Sequence, residues 1–184
     1  MKWLIFIIVC AFISIPSQAQ LYKPFKISVT LGSIRENKDG GPTYALEPSF
    51  RINDKYAIGL KLEGSVTMVK DSPIKLRGSK SINAQYYFST GAMRPFAGIG
   101  AGMYNVSDLT GCYDQCQYED DKIGFYPRVG FDYKHLTIVA DYNLMSPVKL
   151  TTQGDLLSGP SVNFVNGNYL SLRLGITIGG GKKE

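Results

Sequence analysis

A chain of 184 residues, 44% apolar and 19% charged, has room for one domain and holds no series of apolar runs of about 20 residues, which excludes a polytopic helical membrane protein. Its 20 glycines, about 11% against a usual share of about 7%, and its 12 tyrosines exceed the ordinary, yet without the repeats of a collagen-like or low-complexity chain. The net charge of +5 is no sign of nucleic-acid binding, because no recognition motif accompanies it.

Residues 1–19 read as a secretory signal peptide. Lys2 is a minimal positive start, residues 3–15 are an apolar run, and Pro16-Ser17-Gln18-Ala19 places small residues at the cleavage point before Gln20. The run is short for a spanning helix. Cys10 lies inside it with no lipobox and leaves with it. Removal leaves 165 residues, a net charge of +4, no tryptophan, and the cysteine pair Cys112 and Cys116.

From residue 25 onward the pattern is period two, again and again. Residues 25–33 set Phe25, Ile27, Val29 and Leu31 against Lys26, Ser28, Thr30 and Gly32. Segments 43–52 and 55–68 follow, the second with Ile58, Leu60 and Leu62 against Gly59, Lys61 and Glu63. Next come 80–89 and 94–106; the latter is ambiguous in facing, because both its faces are uncharged. Segment 123–133 sets Phe125, Val129 and Phe131 against Tyr126, Arg128 and Asp132, and 135–145 sets Ile138 and Tyr142 against Val139 and Asp141. The last, 169–178, sets Leu170, Leu172, Leu174, Ile176 and Ile178 against Tyr169, Ser171, Arg173, Gly175 and Thr177. The connections alternate between long (35–42, 69–79, 107–122, 146–166) and short (53–54, 90–91, 134). Eight strands so joined form an up-and-down meander, an all-β closed antiparallel barrel.

A soluble barrel turns its apolar face inward; a transmembrane barrel turns it out to lipid. The polar face decides between them. It carries Lys26, Arg51, Lys61, Arg128 and Arg173 against Glu47, Glu63, Asp132 and Asp141. A soluble exterior is denser in charge. A sparse, nearly balanced set suits a narrow filled lumen, where buried charges must be paired. On the apolar face, near the short turns, Phe25, Phe50, Tyr56, Phe88 and Tyr133 come from five strands and fall at one level, as an interfacial aromatic girdle requires.

The segments Arg94-Pro95-Phe96-Ala97-Gly98-Ile99-Gly100-Ala101-Gly102 and Leu170-Ser171-Leu172-Arg173-Leu174-Gly175-Ile176 carry a family likeness. The chain resembles, over nearly all of residues 21–181, the small eight-stranded outer-membrane barrels of Gram-negative bacteria, the group of the OmpA transmembrane domain and OmpX. The resemblance implies a signal peptide (1–19), an outer-membrane barrel (20–181) and a short tail (182–184). It further implies that the inward charges form an ion-pair network plugging the lumen. Both ends of the barrel would lie in the periplasm and the long connections outside the cell. Outer-membrane lipid and lipopolysaccharide would be its partners, with an extracellular protein or ligand held by the loops. The barrel would be a monomer, with no cofactor, no metal and no nucleic acid. The departure is at the end of the last strand, which closes on Ile178-Gly179-Gly180 where many of the group carry an aromatic residue.

The remaining motifs are weak. Cys112 and Cys116, with three residues between them in an exported chain, fit a disulfide pinning a surface loop better than a metal site, since no histidine lies near. His135, followed by Leu136 and Thr137, loosely echoes a lipid A deacylase pattern, but its short-turn position would face the periplasm. Segment 69–80 holds Lys70, Lys75, Arg77 and Lys80 against Asp71 and could meet lipopolysaccharide phosphates; acidic segment 107–122 could hold calcium or a partner. For both, a solvated loop is the default reading. Asn105-Val106-Ser107 fits a glycosylation pattern that a bacterial envelope rarely uses. The expected role is structural or interactive, in envelope integrity, adhesion or surface binding, and not enzymatic. The alternatives are a narrow conduit for ions or small solutes and an accessory factor for secretion or envelope assembly.

Overall fold

The computed structural model describes residues 23–36, 39–69, 72–108, 122–146, 148–152, 161–165 and 167–180. The expected signal peptide, the Cys112–Cys116 pair and the tail lie outside the described residues. Ten strands follow in order: β1 (Phe25–Glu36), β2 (Asp39–Arg51), β3 (Tyr56–Val69), β4 (Ser72–Tyr87), β5 (Met93–Asp108), β6 (Lys122–Tyr133), β7 (Leu136–Met145), β8 (Val148–Thr152), β9 (Ser161–Val165) and β10 (Tyr169–Gly179). Eight of them close a barrel in the order β1-β10-β7-β6-β5-β4-β3-β2, each pair antiparallel. The seam is β1 against β10, from Lys26 opposite Gly179 to Arg35 opposite Leu170.

Alternation turns the apolar half of each barrel strand outward. Ile99 is 70% exposed, Phe125 61% and Leu174 56%, whereas Lys61 and Asp141 are fully buried. A barrel standing in water would reverse this, because burying apolar area releases about 25 cal/mol per Å² and burying a charge costs several kcal/mol. The segment whose facing was ambiguous is settled by Arg94, Phe96 and Tyr104, all buried inside, with Ile99 and Met103 outside.

Two expected connections are corrected. β1 and β2 leave only residues 37–38 between them, and β3 and β4 leave only 70–71, so 35–42 and 69–79 are mostly strand. The reason is a change of solvent. Beyond the apolar belt the outer face meets water and the in–out code lapses, while the hydrogen-bonded ladder runs on. Ile34 there is buried inside and Arg35 exposed outside. The connection expected over 146–166 contains the β8–β9 ribbon, a separate two-stranded sheet. The turns at the other end are tight: Asn53 Oδ1 accepts from the amides of Lys55 and Tyr56, and Lys134 takes a left-handed φ of 52° between β6 and β7.

Candidate functional site

The lumen is filled in three layers. In the middle stand Glu47 from β2, Lys61 and Glu63 from β3, Arg128 from β6, Asp141 from β7 and Arg173 from β10. Period two puts each inside, and the register sets Arg128 directly opposite Asp141. Lys61 Nζ lies 2.7 Å from Glu63 Oε2 and 3.2 Å from Asp141 Oδ2. Arg128 Nη2 donates to Glu47 Oε2 at 2.9 Å, and its Nε lies 3.4 Å from Asp141 Oδ1. Arg173 gathers all three carboxylates: Nη1 donates to Glu63 Oε2 at 2.8 Å, and Nη2 donates to Glu47 Oε1 at 3.1 Å and to Asp141. Three cations thus meet three carboxylates, and the cluster is neutral as a unit. Charge balance is one condition for attraction to offset the desolvation of buried ions.

Toward the short turns, the Tyr87 and Phe96 rings pack at a tilt of 55° with centroids 5.4 Å apart. Beside them Lys26 Nζ pairs with Asp132 Oδ2 at 2.6 Å, and Asp132 also accepts from the hydroxyls of Tyr87 (3.1 Å) and Thr137 (2.7 Å). Arg51 lies inside but apart from the six-residue cluster. Its Nη1 donates to the Gly180 carbonyl at 2.7 Å, and its guanidinium lies 5.3 Å from the Tyr87 ring centroid. The expected nine-residue set therefore divides into the central six, the Lys26–Asp132 pair, and Arg51 on the backbone of the seam.

Toward the opposite end lie Tyr104, Tyr126 and Tyr169 with Ile34 and Met145. The tyrosines stay wired to polar partners: Tyr169 donates to Glu63 Oε1 at 3.3 Å, Tyr104 donates to Asn143 Oδ1 at 2.8 Å, and Tyr126 Oη lies 3.1 Å from Ser81 Oγ. Lys61 Nζ sits 3.8 Å from the Tyr126 ring centroid, a cation over a π face. Room for these rings comes from glycine. A Cβ at Gly100 would meet the Tyr126 ring at 2.2 Å, and one at Gly130 would meet the Phe96 ring at 2.3 Å. A lumenal cavity of about 10 Å³, between Lys26, Glu47, Gln85 and Arg128, is the size of one water.

Three inward charges were missed by the reading of the sequence. Arg77, assigned to a basic loop, points inside and its Nη2 donates to Glu36 Oε2 at 2.5 Å, with Tyr169 5.1 Å away. Glu36 falls in the segment 35–42 expected as a connection. Arg94 is buried over Tyr87 at 4.2 Å and donates to the Asp54 carbonyl at 3.0 Å. Arg94 keeps the inward parity of Phe96 and Tyr104, so its own strand's alternation could have found it.

Phe25, Phe50, Tyr56, Phe88 and Tyr133 all face outward at the short-turn end, and Phe25 stands opposite Phe50 across β1 and β2. Tyr86 joins Tyr56 and Phe88 there, at 5.1 and 5.2 Å between centroids. His135 and Thr137 separate: the imidazole is exposed at the turn, with Nδ1 3.1 Å from the Thr177 carbonyl, while Thr137 turns into the lumen.

The sequence matches no protein-family model and no curated protein. Solved structures do match. The outer membrane protein OprG from Pseudomonas aeruginosa superposes with a TM-score of 0.62 at 14% identity, over 89% of this chain and 99% of that one. Neisserial surface protein A gives 0.61 at 15% identity, over 84% and 96%. The N-terminal β-barrel domain of P. aeruginosa OprF gives 0.50 at 14% identity, over 85% and 99%. This chain has the fold of the small eight-stranded outer-membrane barrels. In this outer-membrane barrel fold, the inward face is the ionic and aromatic column described above.

Proposed function

We propose that the protein is an outer-membrane barrel that works from its surfaces, as a structural or surface-binding element of the envelope, with its lumen closed by the ion-pair column. The observation that carries this reading is the neutral six-residue cluster lying between two aromatic layers. An eight-stranded barrel encloses about enough space for side chains alone, and here the side chains occupy it. An apolar outer belt of this extent needs an apolar medium around it, and the aromatic girdle fits one edge of that medium.

In this reading residues 1–19 direct export, with cleavage near Ala19, and the barrel of 20–181 inserts with its short turns in the periplasm. The long connections expected over 107–122 and 146–166 would then face outward from the cell and be the parts that meet a partner, lipopolysaccharide included. A Cys112–Cys116 bridge would brace the first of these. The competing reading, a conduit for ions or small solutes, draws on the small cavity beside Arg128 and Glu47. Planar-bilayer recording tests the choice. The plugged barrel gives no steady conductance, and ohmic current of porin size would overturn it.

A further inference from the structure

The outer wall carries a groove of about 850 Å³ that crosses the strands from Phe25 and Phe50 to Phe125 and Leu144. One cross-strand row along it is Leu60, Ile82, Ala101, Phe125 and Leu144, apolar throughout, and the small Ala84 and Ala101 deepen it. The next outward row toward the long connections is Leu62, Lys80, Met103 and Ile123. It sets one exposed cation among large apolar neighbours. The row beyond pairs Gly64, Gly78 and Asn105. A Cβ at Gly78 would meet nothing within 4 Å, and the Tyr44 hydroxyl reaches over Gly64, within 2.5 Å of where a Cβ would stand. The Tyr44 ring therefore covers Gly64, and the wall is recessed at Gly78 alone, beside Lys80 and with the Tyr44 hydroxyl at its edge. An ammonium at the edge of an apolar belt needs a counter-charge, and the partner available at that depth is a lipid headgroup.

Resting on the membrane reading above, we infer that this wall holds a phosphate-bearing lipid, its phosphate on Lys80 in the recess at Gly78 and an acyl chain in the groove. The site differs from the general lipid contact of a barrel because it joins one cation, one recess and one groove on adjacent rows. Arg35, an exposed cation on β1, has no place in it and serves as the control.

The test uses the full barrel refolded into vesicles of equal phosphatidylglycerol and phosphatidylcholine, with retained lipid counted by native mass spectrometry. The wild type is expected to keep one phosphatidylglycerol, preferred by about fivefold, the ratio that one lysine beside an anionic headgroup gives. Lys80→Gln brings that preference to parity. Gly78→Leu, which enters open space and leaves the barrel fold intact, lowers phosphatidylglycerol retention. Ala101→Phe lowers retention of both lipids, and Arg35→Gln changes neither. Insertion with unchanged preference in Lys80→Gln, or an equal loss in Arg35→Gln, overturns the lipid site alone. A wild-type chain that fails to insert overturns the membrane reading and the lipid site together.

Discussion

Asp141 accepts from Arg173 and Lys61 and faces Arg128, so one carboxylate touches all three cations of the cluster. Asp141→Ala leaves the cluster with an uncompensated buried positive charge. The expected loss is about 3–5 kcal/mol, the usual result of removing one partner from a buried pair. Urea titration of the vesicle-embedded barrel measures it. Gly100→Val drives the Tyr126 ring off its place and with it the cation–π contact of Lys61. About 1–3 kcal/mol is expected, as in other overpacked cores, read in the same titration. At this scale the sequence is legible where parity and chemistry agree: Lys61, Glu63, Arg128, Asp141 and Arg173 stand out as polar positions on the inward face of apolar strands. Their pairing partners were not legible, because Arg173 reaches Glu63 across 110 residues and no local pattern encodes that distance. Glu36 is hidden for another reason: Ser33 and Arg35 make the outer face polar there, so nothing marks it as inward, whereas Arg77 keeps the inward parity of Ser79 and Ser81 and lies beyond the point where Gly78 and Lys80 interrupt the apolar face.

Among the strands, the belt is the feature that sequence alone reveals most fully. Leu31, Leu174 and Ile138 form one outward row across β1, β10 and β7. Arginine at the bilayer midplane of such a barrel costs about 2–4 kcal/mol, falling toward zero near the interfaces. Leu174→Arg is therefore expected to destabilise the barrel by that amount in vesicle unfolding, while Arg35→Leu, at the edge, changes it little. The strand ends are where reading fails. β4 begins at Ser72, eight residues before its expected start, because the ladder with β3 persists after the hydrophobic code stops. The β8–β9 ribbon escaped notice for a like reason: each arm is five residues, too short for alternation to rise above the loop around it. Replacing residues 109–121 with a short Gly-Ser linker is expected to leave vesicle unfolding unchanged and to remove binding at the cell surface. Loss of the folded barrel in that variant would give the connection a structural part instead.

For the whole molecule, the balance of inside and outside is what makes the architecture readable from composition that averages to nothing. Half of each strand is apolar and half polar, so mean hydropathy lies near zero although the barrel's outer surface is an apolar belt. The excess glycine makes room inside for rings, as at Gly100 and Gly130, and part of the excess tyrosine is lumenal in Tyr87, Tyr104, Tyr126 and Tyr169. The same balance underlies the proposal that this chain is an outer-membrane barrel with its charges inside. The most direct test is gel migration of the protein from outer-membrane fractions with and without heating. The unheated protein in that fraction is expected to run as a compact, faster band that slows on boiling. A single heat-independent band, from protein found in the soluble periplasm, would contradict it.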